Sequence, residues 1–495
     1  VTFDRRLQAY GERALSADFR ATLFWGRGSA RVSSALTLLI RRLIALLLVW
    51  PLLAAASASA EPLVSTFTLK NGMQAIVISD HRVPVVTHMV WYRAGAADDP
   101  WGTSGIAHFL EHLMFKSTRK IKSGEFSQII TRLGGRDNAQ TDPDTTSYYQ
   151  RANKEHLRKL MELEADRMVN LRLVEEEVRT ERDVIQEERR STIDATPISL
   201  LSERMLAVLY NNHPYGRPVL GWAHEMAKLS RQDAITFYKR FYAPNNAVLV
   251  VAGDVTAEEV RPLAEATYGR IKPGPKIASR PRPQEPQPLT ARRVNLEDAR
   301  AGVPVLLRYY LTPSYPSARP GEAESLELLT TILGGDDTSR LYQRFVAENL
   351  ASTAGADYVS SGLDSGRVAF LVIPVAGVPL DKAEAMLDAV IAEIREKGVT
   401  QKELDRAKAS YETRLVFESD NQVTLARRYG EGVALGRSID QIDALPGRIQ
   451  AVSLDDIKRV ATEFLTPVRA VTGILAGKRT GATAAAAPSA LPAKP

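Results

Sequence analysis

The chain has 495 residues, 44% of them apolar and 25% charged, a composition that excludes a disordered protein and a length beyond what one hydrophobic core usually organises. It holds no cysteine, which excludes disulfides, thiolate metal sites and a cysteine nucleophile, so any metal must be held by histidine and carboxylate. Of the net charge of +6, residues 1–60 hold +5, with eight arginines, no lysine and three acids; the other 56 basic and 55 acidic residues leave +1, which argues against a nucleic-acid partner.

Within those first residues Arg41-Arg42 precede "LIALLLVWPLLAAASASA", which ends in Ala58-Ser59-Ala60. A charged n-region, an apolar h-region and a small-x-small site predict a bacterial secretory signal cleaved after Ala60, giving a periplasmic or secreted chain with no stable membrane span. The competing reading is an uncleaved anchor, because the run is long enough to cross a bilayer; Pro51 and the Ala/Ser tail favour cleavage. The stretch before Arg41 is long for an n-region, and a translation start near Val32 would account for it. The Arg pair lacks the rest of a twin-arginine export motif.

After Glu61, "STFTLKNGMQAIVIS" alternates around Asn71-Gly72 and predicts a hairpin, and "VPVVTHMVWYRAG" predicts another strand. "AHFLEHLMFK" (Ala107 to Lys116) reads as a helix, and "GGRDN" as a hairpin turn. A helix-rich region runs from about Lys154 to Met205, and a helix from Ser230 leads into the strand "NNAVLVVAGD". Residues 272–294 are dense in proline and read as an interdomain linker. A second mixed region covers 295–477, and the Ala/Pro tail 478–495 is expected to be disordered.

The two mixed regions read as copies. Leu229 to Asp254 aligns without gaps with Val452 to Leu475: Ser230 meets Ser453 as N-cap, Asp233 meets Asp456, Phe241 meets Phe464 and Pro244 meets Pro467. Each is a capped helix, a proline stop and an apolar strand. The expected fold is therefore α+β, with two tandem homologous α/β domains at 61–271 and 295–477, each an antiparallel-rich sheet with helices packed on it. All seven histidines (81, 88, 108, 112, 156, 213 and 224) precede residue 225, so only the first copy can build a histidine metal site.

On a helix His108 and His112 lie one turn apart on one face and can direct both imidazoles at one ion. Glu111 lies near enough to reach a water on that ion without ligating it. These are the parts of a zinc hydrolase, whose catalytic ion takes a third protein ligand and keeps a fourth position open. The acidic helix "VEEEVRTERDVIQEERRS" (Val174 to Ser191) is the obvious source of that ligand. Glu177, Glu181, Val184 and Glu188 fall on one stripe and Glu187 off it, so periodicity favours Glu188.

"HFLEH", "GGRDNAQTDPDTTSYYQ" (Gly134 to Gln150) and "ERDVIQEE" (Glu181 to Glu188) together resemble the pitrilysin family, inverzincin peptidases that include insulin-degrading enzyme and the mitochondrial processing peptidases. The resemblance runs from about Val64 through Leu475. It implies one zinc per chain held by His108, His112 and Glu188, Glu111 as general base, and Glu181 supporting the ligands. It also implies clam-like closure of the duplicated domains on oligopeptides or unstructured segments. Substrate would add to a sheet edge through the backbone near Asn138 and Ala139.

One departure from the family stands out. Its single-chain members usually supply an arginine and, seven residues on, a tyrosine from the C-terminal half to hold substrate and developing oxyanion. Here Arg344 fits the arginine, but Ala351 stands where the tyrosine would be. Two assemblies follow: the zinc-bearing half of a heterodimer whose homologous zinc-free subunit supplies the tyrosine, which is favoured, or a chain acting alone or as a homodimer. A zinc-retaining, catalytically weak peptide clamp or scaffold subunit is the alternative function. A purely structural zinc site fits least, because only three ligands are evident.

Overall fold

The computed structural model describes residues 64–277, 280 and 282–477 and places two mixed sheets one after the other along the chain. The leader with its export signal and the C-terminal tail lie outside the described residues. The first sheet holds β1 (Val64–Thr68), β2 (Gln74–Ser79), β3 (Val85–Tyr92), β4 (Arg136–Thr141), β5 (Thr146–Asn153) and β6 (Ala247–Gly253), in the order β1-β2-β6-β3-β5-β4. The second holds β7 (Arg292–Glu297), β8 (Val305–Thr312), β9 (Ala351–Val359), β10 (Gly366–Pro374) and β11 (Ala470–Ala476), in the order β7-β11-β8-β10-β9.

The second sheet repeats the first from β2 to β6, strand for strand. β2 runs parallel to β6 as β7 does to β11, and the pairings β6/β3, β3/β5 and β5/β4 recur antiparallel as β11/β8, β8/β10 and β10/β9. The repeated segments read in the sequence fold alike. Ser230 caps the helix Arg231–Phe241 and Ser453 caps Leu454–Phe464, each in a reciprocal box with the aspartate three residues on. Pro244 and Pro467 then open short 3-10 turns that feed β6 and β11. Two separate apolar cores result, one from residues between Phe67 and Tyr268 and one from residues between Leu306 and Ile474.

β3, β6 and β8 are apolar almost throughout because both faces of each sheet are covered. On one face lie helices of the same half. On the other the halves exchange an element: the helix Gln422–Ala434 packs on β3 and β6, while Pro197–Leu209 packs on β7, β8 and β11. Close approach needs a glycine in each case, since a Cβ on Gly430 would run into the Trp91 ring and one on Gly473 into Met205.

The two contacts differ in give. Met205 is flexible, whereas the Trp91 ring is only 4% exposed on a central strand. Alanine at 430 gains about 1 kcal/mol of helix propensity, but overpacking a buried ring costs about 1–3 kcal/mol. G430A should therefore show a lower urea midpoint than the wild type; a higher one would mean that the exchanged helix packs loosely.

Between the cores, β7 begins at Arg292, within the stretch read as linker. Arg280 and Arg282 of that stretch are tied to Asp98 and Asp144 of the first half by ion pairs. No helix of the described residues is long and apolar enough to cross a membrane.

Candidate metal centre

The helix Ile106–Leu113 follows β3 and carries the H-x-x-E-H segment. Ile106, Phe109, Leu110 and Leu113 sink into the first core, which fixes the helix rotation and sets His108, Glu111 and His112 on its remaining arc. The first turn lacks a local side-chain cap. Asp99 serves instead, accepting from the amides of Gly105 at 2.7 Å and Ala107 at 3.1 Å. Gly105 has φ +88°, and a Cβ there would strike the backbone of Leu220, so glycine is required twice over.

His108, His112 and Glu188 converge, with one potential ligand atom from each lying within 4.8 Å of the others. Glu188 Oε2 lies 3.2 Å from His112 Nε2 and 3.5 Å from His108 Nε2. It is shielded from solvent and receives no hydrogen bond. Two imidazole nitrogens and one carboxylate oxygen, with no further histidine or acidic side chain grouped with them among the described residues, match the donor set of a catalytic zinc, and the residues fit that ion. Glu181 Oε1 accepts from His112 Nδ1 at 2.9 Å, while its other oxygen meets the ammonium of Lys116. That contact turns the His112 ring so that Nε2 faces Glu188.

Burial, reinforced by the neighbouring His112, pushes His108 down to about 4. Burial would lower His112 as well, but Glu181 and Glu188 outweigh it and raise the ring to about 9. Contact with His112 holds Glu188 below the ordinary carboxylate range. The same carboxylates that stabilise a positive imidazole stabilise a bound cation. Glu111 is raised to about 7 by burial, against the opposing bond from Thr141, whose hydroxyl donates to Glu111 Oε2 at 2.5 Å. A carboxyl poised near neutrality beside a metal-ligand set can both take and return a proton.

The acidic helix spans Glu175–Arg189, but its stripe differs in one member from the sequence reading. Val184 is 44% exposed, and Val178, Glu181 and Ile185 form the buried face. Steps of three and four group Val184 with the acids, but Ile185 meets the same pattern equally well with the opposite choice of step. Glu187 points outward to Arg190.

Asn138 and Ala139 lie on β4, the outer strand of the first sheet. Asn138 Oδ1 accepts from the Ala139 amide at 2.9 Å, and the two residues are paired with Tyr149 and Tyr148 of β5. Arg344 lies in the second half, 62% exposed, with Glu393 at 3.3 Å; none of the described hydrogen bonds or ion pairs joins it to the histidine cluster. Ala351 opens β9 with its side chain in the second core. Of the other histidines, His88 is a satisfied core residue, bonded to Gln150 and Tyr268.

In the second half the helix Glu322–Gly334 follows β8 as the histidine helix follows β3, and each starts after a left-handed glycine, Gly321 or Gly105. Counted from these glycines, Glu324 stands at the place of His108, Glu327 at that of Glu111 and Leu328 at that of His112. The two carboxylates are balanced by guanidinium groups: Glu327 pairs with Arg414 at 2.6 Å and Glu324 with Arg448 at 2.8 Å. Arginine supplies the positive charge there.

Thr141, Lys116 and Asp99 escaped the sequence reading. Thr141 and Asp99 act on residues 30 and 6–8 positions away through loops. Only Lys116, one turn beyond His112, carries a helical-spacing signal.

Comparisons with known proteins bear on the same segments. Residues 74–222 match the family model described as Insulinase (Peptidase family M16), and residues 228–411 match the one described as Peptidase M16 inactive domain, together more than half of the chain. Zinc protease PqqE of Helicobacter pylori is 29% identical over 445 residues, covering 88% of this chain and 98% of its own. A probable mitochondrial-processing peptidase subunit beta of Arabidopsis thaliana is 25% identical over 405 residues, covering 80% of this chain and 75% of its own. The crystal structure of a protease from Helicobacter pylori matches with a TM-score of 0.79 at 28% identity, over 84% of this chain and 100% of that one. The insulinase match covers most of the half with the histidines, and the inactive-domain match runs from the end of that half through most of the half with the arginines; this chain belongs to peptidase family M16, the pitrilysin family.

Proposed function

We propose that the chain is an exported zinc endopeptidase acting on oligopeptides or unstructured segments, with one zinc per chain, and that it is the zinc-bearing subunit of a heterodimer. The observation that carries the catalytic reading is Glu111, a buried carboxyl raised to about 7 on the same helix as two imidazoles that converge with Glu188. A purely structural metal site has no use for it.

His108, His112 and Glu188 would hold the ion, with Glu181 fixing the His112 ring. Bound there, zinc supplies a Lewis acid that acidifies water and polarises a scissile carbonyl. Glu111, with Oε2 anchored by Thr141, accepts a proton from the attacking water and passes it to the leaving amine. An extended substrate lies along β4 and takes main-chain hydrogen bonds near Asn138 and Ala139, which positions one peptide bond over the centre. Export rests on the leader pattern before Glu61.

The heterodimer rests on Ala351 and Arg344. A buried alanine offers no hydroxyl to an oxyanion, and Arg344 is exposed to a substrate or a second subunit. Adding a homologous subunit that lacks H-x-x-E-H and retains the arginine and tyrosine should raise kcat about 100-fold, the usual worth of one oxyanion donor. Steady-state cleavage of a fluorogenic peptide measures it. A chain whose kcat no such subunit changes acts alone or as a homodimer.

A further inference from the structure

The β4–β5 turn next to Thr141 carries a buried carboxylate. Asp144, 2% exposed, joins four segments. One oxygen accepts from Arg282 Nη2 at 2.6 Å, and the other accepts from the Leu363 amide at 2.8 Å and from the Tyr215 hydroxyl. Arg282 also donates to Asp98 Oδ1 at 2.8 Å, and Arg280 bridges Asp98 Oδ2 at 2.9 Å and the Asp144 carbonyl at 2.8 Å. Leu363 belongs to the β9–β10 connection, so the second half and the linker both grip one turn of the first.

That turn lies beside the reacting groups. Asp142 N to Thr145 O at 2.8 Å closes it, and Thr141, just before it, holds Glu111 at 2.5 Å. The loop bearing Asp98 is clipped to the turn by Ala96 N to Asp142 O at 3.1 Å and Ala97 N to Pro143 O at 2.7 Å. Its next residue, Asp99, caps the histidine helix. Two routes thus run from Asp144 to Glu111, through Thr141 and through the helix N-terminus.

We propose that Asp144, held by Arg282 and the Leu363 amide, is a positioning residue for Glu111, so that catalysis in the first half requires the linker and the second half in place. This rests on the peptidase reading above. A general base displaced by a fraction of an ångström loses rate without losing metal, because Thr141 bonds the Glu111 carboxylate and, among the described hydrogen bonds, none of the three ligands.

The test compares D144N, R282M, T141V and D144N/T141V as full-length chains, in zinc content, thermal melting, kcat and KM on one peptide. D144N and R282M should each lower kcat about tenfold or more with KM changed less than about twofold and zinc retained. The double variant should lose less than the product of the two single losses, because Asp144 acts partly through Thr141. If D144N does not fold, R282M and the cycle R282M with T141V carry the same comparison. Unchanged kcat in D144N and R282M, losses that multiply in the double variant, or losses that follow zinc would overturn the proposal. A wild type inert both alone and with the homologous subunit would overturn the peptidase reading and this inference with it; an active wild type with unaffected variants overturns only this inference.

Discussion

E111Q should retain one zinc per chain and lose peptide cleavage by about 10²–10⁴-fold in kcat, the usual worth of a general acid–base group. Glutamine matches glutamate in shape and still offers an oxygen to Thr141, so the helix and the three ligands keep their places. It cannot accept the proton. The substitution also removes a buried carboxyl whose ionisation burial opposes, so the melting temperature should not fall. Zinc analysis, melting and a fluorogenic peptide assay on one preparation separate the outcomes. Wild type and E111Q equally inert toward a broad peptide library would favour the peptide-clamp role.

E188Q should keep the fold and lose both zinc and activity. Removing one of three ligands costs more than the 10–100-fold in affinity that follows loss of a group merely supporting a ligand. Glu188 is 37% exposed in its side chain, so its pairing with His112 adds little to stability and the melting curve should barely move. E187Q is the control. Glu187 is one residue away and 65% exposed beside Arg190, and its loss should leave zinc and cleavage unchanged. Zinc titration with a competing chelator measures both variants. An E188Q chain that binds zinc as the wild type does would remove Glu188 from the ligand set.

The sequence made the candidate metal centre legible because its members are local. His108, Glu111 and His112 occupy one helical turn, and Glu181 and Glu188 two turns of another, so helical periodicity carried the geometry. The duplication was legible because cap, proline stop and strand recur with one offset. What remained hidden is non-local. Asp99 caps the histidine helix across a loop, Thr141 reaches Glu111 from a strand, and the exchanged helices look like any other amphipathic segments until the opposite sheet is seen. The proline-rich stretch read as a spacer, yet Arg280 and Arg282 anchor it, since their partners Asp98 and Asp144 lie about 140–180 residues earlier. Val184 marks the limit of periodicity, because steps of three and four choose between it and Ile185 only once the core is known.

The most direct test of the metal centre is anomalous diffraction at the zinc edge from crystals of the full chain. One peak per chain is expected, about 2.0–2.2 Å from a ring nitrogen of His108, a ring nitrogen of His112 and a carboxylate oxygen of Glu188. A peak held by other residues, or none at these three in zinc-saturated crystals, would contradict the account.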